Sequence, residues 1–346
     1  MSRQVLRIGA INLAVLALLA LAALAAAEVW LRLTIPTSSA ESIYLYTLAT
    51  PRYKVMKPNA SMIAWGRELR TNELGFRDAP VPPKQPGEFR IIVLGDSFTV
   101  SAGVDDREMW TRLLQENLEK QYPRARVVNL AVGGYNVLQY RMVLEEVGLH
   151  LKPDLLLVAL FPDNDFSLDT YRDNYRVASG QELESDPAWY RELYVWRAWL
   201  GRAEARLRRV LHEDRKSDPA GWEENARALQ QIAEIARREK LPLAVALLPH
   251  TWHFERQREL FARVGELCRR LELGCIDLLE PFIARRLEEA SLRLNALDAH
   301  ANGRYNAVVA EELRPFLSSV LAVLGGRSEV QNASFPASAP AGAARQ

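Results

Sequence analysis

Short apolar runs that alternate with helical stretches constrain this chain more than any other feature. The first is Arg90-Ile91-Ile92-Val93-Leu94, dominated by β-branched residues and closed by Gly95. A run this short with no polar alternation reads as a strand buried on both faces, which is the habit of parallel sheets. Similar runs predict strands at 127–130, 154–160, 243–248 and 275–278. Apolar residues at helical spacing predict helices over 108–121, 137–149, 189–211, 222–239, 256–271 and 305–324. Strands and helices in this alternation build βαβ units, hence a mostly parallel sheet covered on both faces: an α/β three-layer sandwich. The working residues of such sheets lie in loops at the carboxyl ends of the strands.

The N-terminus has a different character. Asn12 is the only clearly polar residue among the 20 from Ile8 to Ala27, enough helix to span a bilayer. Arg3 and Arg7 precede it, so the positive-inside rule keeps the N-terminus cytoplasmic. Ala25-Ala26-Ala27 before Glu28 offers a competing reading as a cleaved signal peptide. The length of the apolar run, and its continuation through Trp30, Leu31 and Leu33, favour an uncleaved transmembrane anchor over residues 1–33. Both readings send the rest of the chain out of the cytoplasm. The expectation is a single-pass inner-membrane protein with its main domain periplasmic.

Residues 34–88, rich in Pro, Ser and Thr, read as an extended stalk that packs onto a domain spanning 89–324. The remainder, 325–346, is mostly Ala, Ser, Pro and Gly and reads as a disordered tail. With 346 residues, about half of them hydrophobic, the chain can bury a sizeable core. A formal net charge of +1 leaves no electrostatic case for a nucleic-acid partner. Cys268 and Cys275 have no neighbours at zinc-ligand spacing. They fit one disulfide outside the cytoplasm, or two buried thiols.

Candidate chemistry gathers at the strand ends. Gly95-Asp96-Ser97-Phe98-Thr99 follows the first strand. A serine on a sharp strand-to-helix turn exposes its hydroxyl and aims its own N–H at the oxygen of the carbonyl it attacks, although Asp96 or Ser97 could simply cap the next helix. Asn129-Leu130-Ala131-Val132-Gly133-Gly134 follows the second, where a glycine lets a backbone N–H face the site. Phe161-Pro162-Asp163-Asn164-Asp165 follows the third; a side-chain amide there can donate to an oxyanion, or only shape a turn. Leu297-Asp298-Ala299-His300-Ala301-Asn302 precedes the last helix, and a carboxylate beside a histidine can fix its tautomer. His250 and His253 form a His-x-x-His that lacks further ligands, so no metal is expected.

Taken in order, Gly-Asp-Ser, Asn-x-x-x-x-Gly, Asn-Asp and Asp-x-His-x-Asn-x-x-Tyr resemble the blocks of the SGNH/GDSL hydrolase family across residues 70–322. Thr71-Asn72-Glu73-Leu74-Gly75-Phe76-Arg77 also resembles a segment that precedes the serine block in membrane-anchored members. The resemblance implies a flavodoxin-like α/β/α sandwich. It also implies Ser97 as nucleophile, His300 as base with Asp298 behind it, and an oxyanion hole from the N–H groups of Ser97 and Gly134 and the amide of Asn164. No metal or organic cofactor is implied. Two positions depart from the pattern. Asp298 stands two residues before His300 where three is usual, a spacing similar to that of polysaccharide O-acetyltransferase relatives. Pro162 stands where a glycine is usual. The implied substrate is an ester, in the first instance an acetylated cell-surface or exported polysaccharide, with lipid or lysophospholipid esters as the alternative. A silent saccharide-binding protein on the same fold would have no reason to retain Ser97, Asn164 and His300 together.

Overall fold

The computed structural model describes residues 3–34, 44–46, 54–64, 66–167, 193–196, 219–296 and 298–325. They fall into two compact units. The first contains α1 (Arg3–Thr34), a continuous helix whose most apolar 18-residue stretch, within Ile8–Thr34, has a mean hydropathy of 2.5. It is long and apolar enough to cross a bilayer, a property that signal sequences share. Near its end, Glu28 accepts the Val195 N–H at 2.9 Å and pairs with Arg32 at 2.6 Å, and Leu31 packs on Tyr194 and Val195.

The second unit is built on β5 (Phe89–Leu94), β6 (Ala125–Asn129), β7 (Leu155–Leu160), β8 (Leu243–Leu247) and β9 (Gly274–Asp277), after the short strands β1 (Tyr44–Tyr46), β2 (Lys54–Met56), β3 (Ser61–Ala64) and β4 (Arg67–Arg70). The five later strands form one parallel sheet in the order β6-β5-β7-β8-β9. Every residue of β7 and β8 is buried, as their unbroken apolar sequences require. β1 pairs with β2 and β3 with β4 as antiparallel hairpins. Residues 54–88, read from sequence as part of a stalk, place Met56, Leu69, Phe76 and Val81 in the main core.

The helices are α2 (Ser97–Val100), α3 (Trp110–Glu119), α4 (Val137–Glu146), α5 (Pro162–Asp165), α6 (Pro219–Arg238), α7 (Phe254–Arg270), α8 (Leu279–Ala284) and α9 (Gly303–Gly325). β6 lies on one side of β5 and β7 on the other. Right-handed crossovers therefore send α3 and α4 to opposite faces, where α3 packs with α9 and α4 with α6. The helix expected over 189–211 and the tail beyond 325 lie outside the described residues, apart from 193–196. Cys268 and Cys275 are joined as a disulfide between the end of α7 and β9.

The reversal of strand order at β5 matters most. Neighbouring connections leave in opposite directions there, which opens a crevice at the carboxyl ends of the strands. Ser97 is the third residue after β5.

Candidate active site

The β5–α2 turn is tight because Gly95 has no side chain. A Cβ at Gly95 would collide with the Thr99 side chain, so a larger residue would have to displace it. Asp96 caps α2 by accepting the Phe98 N–H at 2.9 Å, and Ser97 follows as the first helical residue, half-buried. Arg77, wholly buried, clamps the far end of the turn: it donates to the carbonyls of Val100, Ser101 and Val104 and pairs with Asp106 at 2.9 Å. The segment from Thr71 to Arg77 thus supports the serine turn from below. Asn129 joins the same scaffold, donating to the carbonyls of Thr99 and Arg77.

His300 lies 203 residues away in sequence, and its Nε2 is 3.1 Å from Ser97 Oγ. Its Nδ1 is 2.6 Å from Asp298 Oδ1. The short Asp-x-His spacing works because Asp298 folds back over its own backbone: the same Oδ1 accepts the His300 main-chain N–H at 2.9 Å, an Asx turn. The loop is pinned on several sides. The Leu294 N–H donates to His300 O at 2.8 Å, Thr251 Oγ1 donates to Ala299 O at 2.6 Å, and Asn302 Nδ2 donates to the carbonyls of Ser291 and Arg293. Tyr305 anchors the start of α9 by donating from its hydroxyl to Pro249 O at 2.8 Å.

Burial opposes the imidazolium form of His300. The hydrogen bond and charge of Asp298, with the charge of Asp96, outweigh it and hold the pKa above the usual histidine value. His250 behaves oppositely. Its burial against Phe98 and Phe161, with positive charge nearby, pushes its pKa down to about 3, so it stays neutral beside the site. Trp252 stacks on it with ring centroids 4.8 Å apart.

Asn164 sits in α5, half-buried, and its Nδ2 donates to Asp96 Oδ2 at 3.4 Å. Pro162, in place of the usual glycine, occupies the first helical position, where its missing N–H costs nothing. Gly134 lies in the turn after β6 with φ +78, a left-handed backbone that glycine adopts without strain. That turn is tied to the serine turn by the Val132 N–H, which donates to Gly95 O at 3.2 Å.

Ser97, His300 and Asp298 are thus brought into one hydrogen-bonded series, and Asn164 reaches the same carboxylate as the serine turn. Among the described residues no group of three or more His, Cys, Asp or Glu side chains could hold a metal. Sequence reasoning missed the fully buried pair of Asp165 and Tyr140, whose hydroxyl lies 3.0 Å from both carboxylate oxygens. Asp165 follows Asn164 directly, but nothing in the helical pattern of α4 distinguishes Tyr140 from an ordinary core residue.

A parallel sheet carrying a serine, an imidazole and a carboxylate in series at its switch point has the build of a serine ester hydrolase. The chain belongs to the GDSL-like lipase/acylhydrolase family, whose sequence model matches residues 93–304, more than half of its length. It is a hydrolase acting on ester bonds. Similar solved structures include that of TesA, at 19% identity over 67% of this chain and 99% of that one, with a TM-score of 0.45. Esterase EstA from Pseudoalteromonas sp. is 14% identical over 68% of this chain and 100% of that one, with a TM-score of 0.43. The acetyl xylan esterase AlAXEase is 16% identical over 67% and 100%, with a TM-score of 0.42. No curated protein matches the sequence.

Proposed function

We propose that the chain is an extracytoplasmic serine esterase or acyltransferase, acting on acetyl esters of a cell-surface or exported polysaccharide through Ser97, His300 and Asp298. One observation carries the chemistry: the unbroken series from Ser97 Oγ to His300 Nε2 at 3.1 Å and from His300 Nδ1 to Asp298 Oδ1 at 2.6 Å. Neutral His300 takes the Ser97 proton as the oxygen attacks the ester carbonyl. Asp298 stabilises the imidazolium that forms. The N–H groups of Ser97 and Gly134 and the amide of Asn164 receive the negative charge on the carbonyl oxygen. The imidazolium then protonates the leaving alcohol. Water or a sugar hydroxyl, deprotonated by the same imidazole, releases the acyl group.

Two features support the setting. α1 is long enough to anchor the chain in a bilayer, and the Cys268–Cys275 disulfide suits an oxidising compartment. The Asp-x-His spacing, similar to that of polysaccharide O-acetyltransferases, supports the substrate class. The test is labelling of the purified protein with a fluorophosphonate probe, followed by turnover of acetylated esters with and without an oligosaccharide acceptor. Labelling and turnover are expected in the parent and absent in Ser97→Ala, with thermal unfolding unchanged within a few degrees. Labelling that persists in Ser97→Ala refutes the reading. Transfer to the acceptor identifies the transferase form.

A further inference from the structure

The acyl-transfer scheme leaves one buried carboxylate beside the nucleophile without a role. Asp96 is fully buried, and burial pushes its pKa up to about 6. Its Oδ1 is committed to the Phe98 N–H. Its Oδ2 accepts the Asn164 amide at 3.4 Å and lies 3.5 Å from Ser97 Oγ. The oxygen of the same amide, Asn164 Oδ1, is buried and has no hydrogen-bond partner among the described residues. Buried polar atoms nearly always find partners, so an orphan acceptor calls for a reason. Turning the amide by half a revolution would set Oδ1 against a carboxylate oxygen, two acceptors face to face. The observed orientation is held despite the orphan.

The backbone beneath is fixed independently. Asp165 accepts the Phe161 N–H at 2.7 Å and the Tyr140 hydroxyl at 3.0 Å, which locks the turn that carries Asn164. Burial, reinforced by the charge of Asp96, raises the Asp165 pKa well above the usual carboxylate range.

We propose that Asp96 is the positioning residue of the oxyanion site: its Oδ2 holds the Asn164 amide with the donor nitrogen, rather than the carbonyl oxygen, turned toward Ser97. The proposal rests on the reading above, in which Asn164 donates to the oxyanion. Charge alone fixes no sign, because the Asp96 carboxylate disfavours a nearby oxyanion but favours the His300 imidazolium. What separates charge from orientation is coupling: a loss through charge multiplies with that of Asn164→Ala, whereas a loss through orientation of the amide does not. In Asp96→Asn the new side chain still caps α2 through its oxygen. It then presents an NH2 group to Asn164, which must turn its own oxygen to meet it and withdraw its donor.

The experiment is steady-state turnover of an activated acetyl ester by the purified full chain, with thermal unfolding measured in parallel. Asn164→Ala is expected to lose on the order of 10² to 10³ in kcat, the usual loss for one oxyanion donor. Asp96→Asn is expected to lose at least about tenfold in kcat with KM within about threefold, because the contact is made in the transition state. The double variant should be no more than about threefold slower than Asn164→Ala alone, since both changes remove one donor. An Asp96→Asn kcat within about threefold of the parent, or above it, overturns the proposal, as do losses that multiply in the double variant. If Asp96→Asn fails to fold, Asp96→Ser, which keeps a capping oxygen for α2, carries the same test: its kcat loss must vanish on the Asn164→Ala background, and multiplication overturns the proposal. A loss under about tenfold in Asn164→Ala itself removes the oxyanion role on which the proposal stands. Failure of the whole acyl-transfer reading would instead appear as labelling in Ser97→Ala.

Discussion

Replacing Asp298 by Asn separates what the carboxylate does by charge from what it does by geometry. A single oxygen, Oδ1, accepts both the His300 main-chain N–H at 2.9 Å and the ring Nδ1–H at 2.6 Å. In Asp298→Asn the amide must keep its oxygen inward, because its nitrogen would face two donors. The ring therefore keeps its tautomer, and the loss is the difference between a charge-assisted and a neutral bond, roughly 1–2 kcal/mol. At about 1.36 kcal/mol per decade, kcat/KM should fall roughly 5- to 30-fold. That is well short of the 10⁴-fold loss that follows when such a replacement inverts the tautomer. The pH profile supplies a second reading. The base acts only when neutral, so activity falls as pH drops through the His300 pKa. Burial pulls that pKa down and Asp298 pulls it up, so removing the charge must shift the acid limb of kcat/KM to lower pH. Parent and variant should be compared from about pH 5 to 9 on one activated acetyl ester. A loss under about threefold, or an acid limb that stays in place or rises, refutes the triad and leaves a Ser–His dyad. A loss near 10⁴ refutes the single-oxygen argument.

Two further outcomes follow from the structure. Changing both Cys268 and Cys275 to Ser opens a loop whose ends are seven residues apart, worth about 2–3 kcal/mol by loop closure. Thermal unfolding should drop by roughly 5–10 °C with turnover at 25 °C unchanged, and an unmoved transition would show that the bridge is absent in solution. A phosphatase reporter fused after Leu324 should be active outside the cytoplasm, and the protein should stay with membranes after a carbonate wash. Soluble protein whose N-terminus begins at Glu28 would establish a cleaved signal instead.

The residues of this site differ in how far sequence alone reveals them, and the difference has a physical basis. β5, β7 and β8 are legible because a strand buried on both faces needs no polar residue, so Ile91–Leu94 and Leu155–Leu160 stand out as unbroken apolar runs. Ser97, Asn164 and His300 are legible only together: Ser97 alone could be a cap and Asn164 a turn residue, and it is their order at successive strand ends and before the last helix that singles them out. The hairpin of β3 and β4 is not legible, since Arg67–Arg70 has only Leu69 buried and alternates too briefly to show a period. The disulfide stays undecided from sequence because two cysteines seven apart reveal neither their separation in space nor their redox state. Asp96 and Tyr140 are hidden for a deeper reason. A helix cap and a buried aromatic each have a complete local explanation, so neither asks for another. Only the three-dimensional placement shows that Asp96 Oδ2 meets both the serine hydroxyl and the Asn164 amide, and that Tyr140 holds the residue next to that amide. Each block names the residue at its position, whereas the contacts that hold those residues join separate elements: Asp96 after β5 meets Asn164 in α5, and Tyr140 in α4 holds Asp165. Tyr140 stands outside all four blocks, so a sequence with the blocks intact could still lose that support.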